Sequence, residues 1–260
     1  MRRAVKLVGL FWSTGLATEM EYRLNFVLAT VSSLGNLAGS AFGIFLVFNA
    51  GGDMGGWSWH EALVVMGMFT ILEGVSNTWL RPNLREIVRH VRQGTMDFVL
   101  LRPVDSQLWL STRHISLWGF PDIVFGIAII GYAGANLGLG PLDYAQGIVP
   151  LAVGTTILYS LWFILSSSSI WFVRVHNLTS VLRGVLEAGR FPVAAFPATY
   201  RVVFTFVIPI AFLTTVPAAA IVGRSRDYGL PLAVLLAAGL FALSRFFWKY
   251  ALRFYTSASS

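Results

Sequence analysis

Two carboxylates stand where this chain is otherwise almost free of charge. Glu73 interrupts the apolar run Ala62–Leu80, and Asp122 interrupts Ile115–Leu142. A charge inside a lipid-facing helix costs about 2.5–3.5 kcal/mol on insertion scales, so each needs a role. One role is pairing with Arg23, Arg81 or Arg113, or contact with water near the membrane surface. The other is to line an inner vestibule that favours cationic amphiphiles. The remaining reactive side chains suggest little chemistry. His60, His90, His114 and His176 fall in no metal-ligand spacing. "HEALV" at 60–64 starts like a zinc-protease helix but lacks the second histidine. Ser166–Ser169 have no base marked by their context, and small residues there suit close helix packing. With no cysteine, disulfides, thiolate metal sites and cysteine nucleophiles are excluded. The two lysines, Lys6 and Lys249, precede Leu7 and Tyr250, so no phosphate-binding loop exists. The expectation is a chain with no catalytic residue, metal or cofactor of its own.

The elements around those carboxylates belong to a membrane. The 260 residues are 56% hydrophobic and 12% charged, against about a quarter charged in soluble domains. A crossing helix needs about 20 apolar residues. Six runs qualify: Leu24–Gly52, Ala62–Leu80, Ile115–Leu142, Tyr144–Val173, Val202–Gly223 and Tyr228–Ser244. The fold class is therefore all-α, one transmembrane domain over 1–260 with six spans.

With both termini inside, 17 lysines and arginines fall in inner segments and only Arg224 and Arg226 in outer ones. That is the bias expected of cytoplasmic loops. The net charge of +7 thus marks membrane topology and lipid headgroups, not nucleic acid. Residues 1–22 read as an amphipathic helix on the inner surface. Leu7, Leu10 and Phe11 share a face, and Arg2, Arg3 and Lys6 meet anionic headgroups.

The longest polar connection, 81–113, is expected inside. Leu84, Ile87, Val88 and Val91 recur at helical steps, Pro82 suits a helix start, and Gly94 suits a helix end. A second short helix is expected from about Thr95 or Met96 to Pro103. Within this segment "GTMDFVLLRPVDSQ" resembles the loop between the second and third spans of type-2 ABC exporter permeases, in Gly94, Asp97, Leu100, Leu101, Arg102 and Pro103. "GRFPVAAFPATYRVVFTFVIPIAFLTTVP" resembles that family's proline-rich fifth span, with Pro192, Pro197, Pro209 and Pro217. The tail "ALRFYTSASS" resembles its ending, at Tyr255 and Ser257–Ser260.

The resemblance implies the type-2 ABC exporter transmembrane fold, in a bacterial inner membrane. It implies a coupling segment that docks on a cytoplasmic ATPase, with ATP and Mg bound by that partner, present in two copies. Arg89, Gly94, Asp97, Phe98, Leu101, Arg102 and Pro103 are its expected coupling residues. Phe98, Leu101 and the Arg102–Pro103 corner make the contact, and Gly94 and Asp97 shape the elbow. It implies a second permease, identical or related, with the substrate path between the two. It also implies an outer re-entrant segment over 215–228, with Pro209 and Pro217 at an outer gate. Glu73 and Asp122 are expected on the substrate pathway, for a small hydrophobic or cationic compound. A self-powered secondary transporter or channel would favour internal repeats and paired broken helices. A membrane enzyme of lipid or envelope metabolism would favour a polar catalytic cluster. Neither pattern is visible.

Overall fold

The computed structural model describes residues 23–172, 175–224 and 229–255. The amphipathic helix expected over 1–22, Arg226 and the tail from residue 256 lie outside them. All regular elements among the described residues are helical. Five helices are long and apolar enough to cross a bilayer, and one bent pair makes a sixth candidate.

The first crossing is α1 (Arg23–Asn49), exposed along most of its length. The second, α2 (Trp59–Val75), begins at a capping box. Ser58 Oγ accepts from the Glu61 N–H, and Glu61 Oε2 accepts from the Ser58 N–H at 2.7 Å. The acid of "HEALV" is thus a helix cap. A π turn, Ser76–Leu80, joins α2 to α3 (Arg81–Gln93). Together they form one 35-residue rod, Trp59–Gln93. At about 1.5 Å per residue it measures roughly 50 Å, against about 30 Å of hydrocarbon. The second span therefore does not stop at Leu80; its helix continues into the polar segment.

Next come α4 (Asp97–Leu100) and α5 (Ser106–Thr112), then the third crossing, α6 (Phe120–Asn136). Glycines let α6 lie against α2 backbone to backbone. A Cβ on Gly119 would lie 2.2 Å from the Gly74 carbonyl oxygen, and one on Gly126 would lie 2.8 Å from that of Gly67. Both pairs are spaced by seven residues, so one helix face carries the seam. The short α7 (Pro141–Gln146) precedes the fourth crossing, α8 (Ile148–Ser167). In α8, Ser167 donates to the Phe163 carbonyl at 2.8 Å and sits in a packed helix face.

The region after α8 departs from the expected fifth span. Helix α9 (Val175–Leu186) turns back into the bundle. Arg183 lies 3.5 Å from Glu73 toward the elbow end of the rod. Arg190 stacks over Phe69, 4.9 Å from its centroid, and bonds Ser40 in the middle of α1. A Cβ on Gly55, in the loop at the opposite end, would lie 2.5 Å from Ala194 Cβ. Residues 183–194 therefore climb from the elbow end to the far end.

The run read as the fifth span, Val202–Gly223, is a bent pair, a candidate span broken in its middle. Ala198–Val207, which starts as α10 (Ala198–Val202), meets Ala211–Ile221, which ends as α11 (Val216–Ile221), at 78°. The break at Ile208–Ile210 packs beside Gly189, and Ile221 returns beside Gly147. Pro209, which has no N–H to continue a helix, sits at the break. Pro217 does not break the chain; it follows the π turn Ala211–Thr215 inside the second half. Arg190 and Arg201, counted with the inner arginines, stand instead beside mid-α1 and in the bent pair. The last crossing is α12 (Gly229–Ala251).

The glycine seam yields a test. Gly126→Leu is expected to destabilise the protein by about 1–3 kcal/mol through overpacking, seen as a lower melting temperature in detergent. Gly131→Leu, on the open face of α6 with nothing within 4 Å, is expected to leave it unchanged.

Candidate functional site

The helix-turn-helix elbow forms between α3 and α5. Gly94 closes α3 in the left-handed region, at φ 65°, and its N–H reaches the His90 and Val91 carbonyls. A side chain would strain that conformation. The short α4 then turns two residues inward and two outward. Met96 and Val99 are buried, while Phe98 is 68% and Leu101 is 82% exposed. Asp97 lies in the first turn of α4. Arg102 folds back, its guanidinium 4.2 Å over the Trp109 ring and its Nε donating to the Phe98 carbonyl at 3.3 Å. Pro103 is exposed at the corner. Arg89 pairs with Glu86 on the outer face of α3. The structure thus brings the expected elbow residues to one apolar tip, flanked by arginines.

The elbow is stitched to three crossings largely by residues that sequence reasoning passed over, Asn83, Gln107, Tyr159 and Ser244 among them. Pro82 cannot donate to the Thr78 carbonyl, and the Ser116 N–H takes that carbonyl at 2.8 Å. Buried Asn83 donates to the Trp79 and His114 carbonyls and accepts from the His114 N–H at 2.7 Å. Trp79 Nε1 donates to the Ser111 carbonyl at 2.7 Å. In α5, buried Gln107 reaches Tyr159 of α8 at 3.1 Å and Ser244 of α12 at 3.3 Å. Asp105 caps α5 through the Leu108 N–H and pairs with Arg245 of α12 at 2.7 Å. That Arg245 hydrogen bond holds the Asp105 carboxyl below the usual carboxylate range. The sequence signal was a set of hydrogen-bonding side chains, Asn83, Gln107 and Ser244, at positions that are otherwise buried.

Further up, the two intramembrane acids share one network. Glu73 pairs with Arg81 at 2.9 Å and Arg183 at 3.5 Å. Arg81 donates to Asn77 Oδ1 at 2.6 Å, and Asn77 donates to Asp122 at 3.1 Å. Ser33 of α1 completes it by donating to Asp122. Of the arginines considered as partners, Arg81 is bonded, Arg113 stacks near Trp109 instead, and the Arg23 side chain lies outside the described residues. Asp122 lines a cavity of about 550 Å³ with Ser32, Ser33, Asn36, Arg81, Arg85 and Arg183.

These features now have a family. The description "ABC-2 family transporter protein" matches residues 34–259. The chain belongs to the ABC-2 transporter family. No curated protein and no solved structure matches it. The protein is accordingly a multi-pass transmembrane permease of an ABC transporter, in a family whose members work with an ATPase subunit.

Burial holds two histidines of this permease below the ordinary histidine range. His90 bonds Thr95 at 2.8 Å, and His114 lies near Glu86. Their neutral forms are the folded ones. Stability is full above pH about 6.5 and is lost as pH falls further, because the unfolded segment takes the protons first. Protection factors over residues 94–114, corrected for intrinsic exchange, are expected to fall between pH 7 and pH 5, and His90→Gln with His114→Gln is expected to flatten that change.

Proposed function

We propose that this permease is half of the membrane part of an ATP-driven exporter, and that a cytoplasmic ATPase drives it through the α4 tip. The observation that carries the proposal is the outward pair Phe98 and Leu101 on a helix anchored by buried Met96 and Val99. Such large apolar groups gain about 1.5–3 kcal/mol each when a partner covers them. A push on the tip is passed to α3 through Asn83, to α8 through Tyr159 and to α12 through Ser244 and Arg245. In this reading ATP and Mg belong to the partner, both termini are cytoplasmic, and each ATPase meets one elbow. The membrane is the bacterial inner membrane.

A second permease, identical or related, fits the open face of α1. Gly35, Gly39 and Gly43 recur every four residues there, with nothing within 4 Å of the position a Cβ would take. Small residues at that spacing let helices approach closely. The substrate path then runs beside the cavity at Asp122. A preference for cations does not follow from its charge. Glu73 is spent on Arg81 and Arg183, and three arginines share the walls with Asp122. The bent pair, with Pro209 at its break, closes the far end.

Co-expression with the cognate ATPase tests the tip. Leu101→Asp is expected to cut recovered ATPase at least about tenfold, as loss of one apolar anchor requires, with the permease's melting temperature unchanged. Equal recovery would remove the docking site. Light scattering of the wild-type complex is expected to give two permeases and two ATPases. The path has its own probe, because the chain lacks cysteine. Ser32→Cys on the cavity wall is expected to react with a water-soluble maleimide in membranes, and absence of labelling would take the cavity out of the pathway.

A further inference from the structure

A second cavity, of about 320 Å³, opens between α3, α8 and α9. Among the described residues its walls carry four arginines and no acid. Arg81, Arg85 and Arg92 come from one face of α3, and Arg183 comes from α9, some ninety residues later in the chain. Ser166 adds a hydroxyl from α8. Leu84, Val88 and Trp162 form an apolar side. Glu73 meets Arg81 and Arg183 from the neighbouring cavity and does not line this one. Arg85 makes no hydrogen bond or ion pair among the described residues.

Arginines near a membrane surface commonly reach for bulk headgroups. Those arginines point outward singly. Here guanidiniums from two distant elements converge on one concave wall; Glu73 offsets two of them, and an anion in the groove adds a further counter-charge. Guanidinium groups suit phosphate oxygens because they donate in a planar, paired geometry. The apolar wall beside them asks for a chain attached to that phosphate. The groove also lies along the elbow half of the 35-residue rod, beyond the apolar run Ala62–Leu80.

We propose that this groove binds the phosphate of one anionic phospholipid from the elbow-side leaflet, with the start of its acyl chain along Leu84, Val88 and Trp162. The lipid bridges α3, which carries the elbow, to α9, which leads to Arg190 and the bent pair. The site rests on the membrane placement of the permease and not on ATPase docking, so failure of the docking experiment leaves it standing.

The test uses the full chain, purified without an ATPase, in nanodiscs of neutral phosphatidylcholine with or without phosphatidylglycerol. Bound lipid is read by native mass spectrometry after release into detergent, alongside melting temperature. Phosphatidylglycerol is expected to be retained in preference to phosphatidylcholine and to raise the melting temperature. Arg85→Gln with Arg92→Gln is expected to weaken retention at least about fivefold. Arg253→Gln, an exposed arginine at the same end but outside the groove, is expected to change nothing. An equal loss with Arg253→Gln would show only bulk surface attraction and overturn the proposal. So would equal retention of the two lipids. Full displacement by millimolar inorganic phosphate would also overturn it, by showing a site for a small anion without a chain.

Discussion

Inside lipid there is no water to take up an unpaired backbone carbonyl. Pro82 creates one at Thr78, and the Ser116 N–H fills it. That bond requires the start of α6 to come close to the rod. Gly119 allows the approach, since any Cβ there would strike the Gly74 carbonyl oxygen and Thr78. The same closeness brings Asn77 to Asp122 and Asn83 to His114. One proline thus fixes where the polar segment leaves the rod and where it returns. The elbow's shape, the glycine seam and the carboxylate network all depend on that junction.

The elbow is stiff at its base and apolar at its tip. Its base is held by hydrogen bonds from side chains that are themselves buried, Asn83 and Gln107. Breaking one leaves a polar group without a partner, so these contacts persist while the segment moves. The Asp105–Arg245 pair is more exposed and contributes orientation more than stability. In the proposed reading the tip acts from a partner outside the membrane inward to α8 and α12.

Apolar runs and glycines made much of this legible in the sequence. The first four crossings and the last follow from hydropathy alone, because uncharged runs of that length have few other uses. Gly94 and Pro103 punctuate the elbow as local rules require. The stretch that leads into the bent fifth span was not legible. Its residues from Arg183 to Ala194 include Arg183, Glu187 and Arg190, which a hydropathy reading assigns to a loop. They enter the bundle because Glu73 compensates Arg183, and because Glu187 and the Ser40 hydroxyl compensate Arg190. Pairing across distant elements leaves no local signature. The same holds for Glu73, whose second guanidinium lies 110 positions downstream.

The uninterrupted Trp59–Gln93 rod also acts as a crowbar. A shaft of roughly 50 Å that bears on α6 at Gly67 and Gly74 has its longer arm on the elbow side, so a tilt would move the elbow about twice as far as the opposite tip. The π turn keeps the shaft continuous up to Pro82. A stroke applied at the elbow would therefore arrive at the opposite surface shortened in length and raised in force.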